Sequence, residues 1–145
     1  MNIEWLPSET GRHQEHIVAH VVGATPLGYF VTDDALHFVL DIGFVWSIFL
    51  DAEMGLLQTS LALAELNVGE DVRARLIAES SALYERGPGA LELGFIVPAP
   101  QECLIAEVEF YHSPDATRRR LSIRGEETSM CVETHLAAGE FRVIY

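Results

Sequence analysis

Cysteine is scarce: Cys103 and Cys131 are the only two in 145 residues. A disulfide-stapled scaffold needs a clustered, paired set, so this fold must be held by its core, and the two thiols read as reduced. Positive charge is also short. Nine basic residues against 22 acidic ones give a net charge of −13, which repels phosphate backbones, since these bind through counterion release onto Lys and Arg. Nucleic acid is therefore not an expected partner. Long apolar runs are missing as well: the longest, Ile42 to Leu50, is closed off by Asp41 and Asp51 and falls short of the roughly 20 residues a membrane helix needs. No membrane association is expected. The opening Met1 to Pro7 has no basic region ahead of an apolar stretch, so no secretory leader is read there and a cytoplasmic location is expected. Glycine-rich phosphate loops, Cys-x-x-Cys, the nucleophile elbow and His-Glu-x-x-His are all lacking. The common cofactor and metal chemistries are thus not signalled, and no cofactor is expected.

What is present is a chain 49% hydrophobic and 21% charged, too apolar for disorder and long enough to bury roughly two thirds of its extended surface. A single α+β domain over residues 1–145 is expected, with residues 1–12 as a flexible arm because they are polar and carry Pro7 and Gly11. The Val- and Ile-rich run from His16 to Val22 reads as a strand. From Leu36 to Leu50 every even position is apolar, a period of two that implies extended chain, with Gly43 a natural bend or bulge. Leu27 to Thr32 pairs with it through an Asp33-Asp34 turn using positive φ. That register sets Val31 against Leu36, Tyr29 against Phe38 and Leu27 against Leu40.

Ala52 to Leu66 favours helix by composition, although Gly55 and the Leu61-Ala62-Leu63 alternation allow strand. Asn67 and Glu70 have the spacing of a capping box, ahead of a helix from Glu70 to Arg86 closed by Gly87-Pro88-Gly89. Leu91 to Val97 and Cys103 to His112 read as extended, and Pro114 to Thr117 closes a second hairpin. Setting Ser113 opposite Arg118 aligns Phe110 with Leu121 and Val108 with Ile123 on one face, and Glu107 with Arg124 and Tyr111 with Arg120 on the other. The cluster Arg118-Arg119-Arg120 then lies on a solvated sheet face. Glu126 to Leu136 reads as loop or short helix, and Phe141 to Tyr145 as a last strand. The expected architecture is a curved antiparallel sheet, from N-terminal and C-terminal hairpins, packed on one or two central helices.

Three sets of residues carry chemical possibilities. His13, His16 and His20 would share a helix face and could converge on zinc, but on a strand they are too far apart for one ion; no metal is expected. His37 and Asp41, with Ser47 past the bend and Asp51 at its end, are candidate acid–base residues; a satisfied hydrogen-bonding pair and a helix-start carboxylate are their plain structural readings. Tyr29, Phe30, Phe38, Phe44, Trp46 and Phe49 crowd two adjoining strands. Phe30 and Phe49 project away from the main core face with Val39 and Val45, so the sheet is apolar on both sides and needs a second cover: a helix, a partner subunit, a ligand, or the arm through Trp5 and Leu6. The expected function is binding of an apolar or amphipathic small molecule by these aromatics between sheet and helix, as a homodimer and without catalysis. The alternatives are a cofactor-independent enzyme using His37, Asp41 and Asp51, and an acidic module that engages a basic protein.

Overall fold

The period-two run at residues 36–50 does not stay straight. In the computed structural model, which describes residues 3–87 and 94–145, it folds back on itself as a hairpin of β3 (Ala35–Leu40) and β4 (Phe44–Phe49). The single long strand is thereby corrected: Gly43, at φ +81°, sits in the left-handed region that glycine enters freely, and reverses the chain. The alternation survives because the register pairs even with even, Leu36 with Ile48 and Phe38 with Trp46, and odd with odd, His37 with Ser47 and Val39 with Val45. A turn of this parity leaves each residue on the face it would have had in one strand.

Ahead of this hairpin, β2 (Pro26–Val31) pairs with β3 as Tyr29 with Phe38 and Val31 with Leu36. The expected Leu27–Leu40 pair is replaced by Pro26–Leu40 through a bulge between Pro26 and Gly28. Thr32 and Ala35 close the Asp33-Asp34 turn, Thr32 N–H donating to Ala35 O at 2.9 Å. Among the described residues only Ala52 and Ala116 combine a side chain with positive φ, so the turn is made without it.

Residues 52–66 split into β5 (Met54–Gln58), paired to β4, and α2 (Thr59–Glu65). Helix α3 spans Glu70–Arg86 as expected, but its N-cap is Gly69 with no side-chain cap bond, so the Asn67–Glu70 capping box does not form. Gly87, at φ +80°, ends it by donating N–H to Leu83 O. Pro88, Gly89 and residues 91–93 of the expected strand lie outside the described residues; of its described remainder, residues 94–96 form a bend and only Val97 is extended, in the two-residue β6 (Val97–Pro98) paired to β2.

Two elements differ outright from the sequence reading. The Val- and Ile-rich run is helical: α1 covers Arg12–Val21, with the Gln14 side chain accepting the N–H of Gly11 at its start. Only Ile17 and Val21, four apart, are buried there, the spacing of one helical face. The supposed loop at 126–136 contains β9 (Ser129–His135). It lies between β8 (Arg118–Arg124) and β10 (Glu140–Ile144). Of the expected strand Cys103 to His112, β7 takes Glu107–His112, and its register with β8 has all the expected pairs, Glu107–Arg124, Val108–Ile123, Phe110–Leu121 and Tyr111–Arg120.

The fold is α+β, with antiparallel strands in two sheets rather than one, ordered β1-β7-β8-β9-β10 and β5-β4-β3-β2-β6, β1 being Leu6–Pro7. The N-terminal arm is tied to the first sheet. Leu6 pairs with His112, and Trp5 lies over the Arg120 guanidinium at 4.6 Å. It therefore does not cover the second sheet's outer face. A shared core takes Leu36, Phe38, Trp46 and Ile48 from the second sheet, Leu121, Ile123 and Val132 from the first, and Ile17 and Val21 from α1. Each such side chain contributes about 1.5–3 kcal/mol. The reverse of the second sheet has its own core, in which Phe30 and Val39 pack on Leu63 of α2, Leu76 and Leu83 of α3, and Ile96. The two apolar faces are thus answered by a sheet on one side and helices on the other. No helix among the described residues is long and apolar enough to cross a membrane.

Candidate functional site

The helix layer does not cover the second sheet completely. Tyr84 anchors α3 at one end, its hydroxyl donating to Leu40 O at 2.8 Å and meeting the Thr59 hydroxyl at 2.9 Å. Arg73 holds the α2–α3 link, donating to Leu66 O at 2.7 Å. Between these helices and the far part of β2, β3 and β4 lies a cleft of about 710 Å³, within the range of small-molecule sites. Phe30, Val45 and Leu76 are buried in its floor, while Val31, Leu57 and Phe95 are exposed around its opening.

The floor also holds a polar chain. His37, 5% exposed, has its ring stacked on Phe30 with centroids 4.7 Å apart. Its Nε2 lies 2.9 Å from Thr32 Oγ1 and its Nδ1 2.7 Å from Ser47 Oγ. Thr32 Oγ1 also reaches Ala35 O at 3.3 Å and Asp34 Oδ1 at 3.4 Å. One arrangement uses every hydroxyl proton: Ser47 donates to Nδ1, Nε2–H donates to Thr32, and Thr32 donates to the Ala35 carbonyl or the Asp34 carboxylate. Burial pushes the imidazole down from 6.5 to about 4, against the pull of the Asp34 charge, so the ring is neutral at pH 7 and offers one donor and one acceptor.

The other expected partners of His37 are elsewhere. Asp41 accepts the Thr25 N–H at 2.8 Å in the β3–β4 turn, and Asp51 accepts the Glu53 N–H at 3.1 Å in the turn after β4. These carboxylates stand at opposite ends of a six-residue strand, about 20 Å apart. Asp51 acts locally, as turn residues do, whereas Asp41 ties its turn to the chain ahead of β2. Of the six aromatics, Phe30 and Phe49 line the cleft. Phe38 and Trp46 are fully buried in the shared core and Tyr29 packs against it, while Phe44 is half-buried opposite Gln58. The histidine cluster is helical, as metal binding would require, yet His13 Nε2–H donates to Met54 O at 3.0 Å and His16 packs edge-on to His20 at 4.7 Å. Among the described residues no group of three or more metal-type ligands comes together. Thr32, Val68 and Phe95 line the cleft without having been singled out in the sequence. Only Thr32 carried a local signal, as the residue closing the Asp33-Asp34 turn.

Fold and cleft together define a two-sheet α+β protein with an open apolar cleft between sheet and helices. No family model, curated protein or solved structure matches the chain.

Proposed function

We propose that the protein binds an apolar or amphipathic small molecule in the cleft between the second sheet and helices α2 and α3. The observation that carries this reading is an apolar cleft of about 710 Å³ whose floor presents a hydrogen-bonded Ser47–His37–Thr32 chain. Apolar walls supply affinity and a few convergent polar atoms supply orientation, the usual division of labour in such sites. Around Phe30 and Val39 the sheet is covered by α2, α3 and Ile96, so that part needs no partner subunit; whether the chain is the expected homodimer is read in the same measurement.

Native mass spectrometry of protein purified from its own host tests the reading. It should show a retained small molecule, released on denaturation. The Val68→Trp variant, with an indole at the cleft, should lose it and should no longer brighten the neutral probe N-phenylnaphthylamine. A wild-type protein that carries nothing and leaves the probe dark defeats the proposal. A catalytic reading is favoured by one observation, the 2.7 Å contact between Ser47 Oγ and His37 Nδ1. It would use those two residues in place of the set with Asp41 and Asp51, and it predicts turnover that rises with pH through about 4 as His37 loses its proton.

A further inference from the structure

We propose that the cleft selects organic cations: its ligand carries an ammonium or amidinium head on an apolar body. This rests on the cleft being a ligand site and adds the sign of the ligand's charge. Every charged residue lining the cleft is acidic: Asp33 and Asp34 from the β2–β3 turn, and Glu65 from the last turn of α2. All three are exposed, whereas the floor residues Phe30, His37, Val45 and Leu76 are buried. A molecule seated with its apolar body on the floor thus brings its head to the carboxylates. His37 does not offset them, because its buried ring is neutral.

Two arginines of α3 touch lining residues from outside the cleft. Arg73 is committed to the Leu66 carbonyl, and Arg75 lies over the Phe95 ring at 4.7 Å; neither lines the cleft. An anionic head would meet three carboxylates in a protein of net charge −13, whose field concentrates cations and excludes anions.

The test is displacement of bound N-phenylnaphthylamine by two competitors with the same alkyl tail, an alkylammonium and an alkanoate, each below its micelle concentration. The ammonium should displace the probe at about tenfold lower concentration, the combined effect of three surface-strength pairings. The Asp33→Asn/Asp34→Asn/Glu65→Gln variant should lose most of that preference. Glu126→Gln/Glu127→Gln/Glu140→Gln, which removes the same charge at exposed positions remote from the cleft, should keep it. Should the first variant fail to fold, added salt serves instead, shrinking the ammonium preference and leaving neutral-probe affinity unchanged. Equal displacement by both competitors, or an equal loss of preference in both variants, overturns the cation reading while leaving the site intact. A probe that never binds overturns the site itself.

Discussion

Acidification should destabilise this protein through His37. Burial holds its imidazole at about 4 rather than 6.5, so in the unfolded chain the ring takes up a proton near 6.5 and in the folded chain only near 4. Between those values the unfolded state holds the extra proton, and unfolding is favoured as pH falls. The stability at stake is fully present above about 6.5 and lost on the way down to about 4. That gap, at about 1.36 kcal/mol per pH unit, is worth about 3 kcal/mol, most of it gone by about pH 4.5. The structural cause is visible: a charged ring needs two acceptors, yet Nδ1 accepts from Ser47, whose hydroxyl would have to turn away, and Phe30 stacks on the ring face where water would otherwise solvate it. Urea titrations between about pH 7 and pH 4.5 should show the midpoint falling by about 1 M or more. His37→Gln keeps an amide donor for Thr32 and has no proton to gain, so its midpoint should fall less. The 22 acidic residues titrate in both proteins and cancel in the comparison. Parallel pH profiles for wild type and His37→Gln would refute the argument, as would an imidazole that titrates near 6.5 by nuclear magnetic resonance.

Gly28→Ala should destabilise by about 1–3 kcal/mol. A Cβ there would stand 2.7 Å from the Val97 carbonyl oxygen and 2.9 Å from Ile96 Cγ2, and an unchanged urea midpoint would mean that β6 does not seat against β2 as described. Ser47→Val should cost about 1–3 kcal/mol, because it strands the buried His37 Nδ1, and His37→Val should cost less through this pair, because the half-buried Ser47 hydroxyl opens on the cleft and can turn to water, while the double variant should return to within about 1 kcal/mol of wild type at pH 7. A double variant as unstable as the sum of the singles would show that the pair is a structural necessity.

How much of the fold was legible followed how local its determinants are. The β7–β8 hairpin was readable because Glu107–Arg124 and Phe110–Leu121 separate charge from apolar surface at a single register. The β2–β3 pairing was readable for the same reason until the bulge after Pro26 shifted it. The run from His16 to Val22 misled because β-branched composition favours strand, whereas what decides is that only Ile17 and Val21 find a core to enter. Nothing near residues 27–50 or 107–124 says that the two hairpins belong to opposite sheets. That division is set by the shared core, which gathers Phe38 and Trp46 with Leu121 and Ile123 from segments far apart in the chain.

The site was half legible for a related reason. Pairing Leu36 with Ile48 and Phe38 with Trp46 commits those four side chains to the shared core. His37 and Ser47 then have to meet on the helix side, since alternate residues of a strand face opposite ways. What the fold does not dictate is their polarity. One pair further along the same face, Val39 and Val45 are both buried, so an apolar pair is accepted there, and His37 and Ser47 could be replaced by one at little cost if packing were the only demand. A neutral imidazole at the floor of an open cleft, on a face that also accepts valine, is the polar feature from which the proposed ligand reading argues.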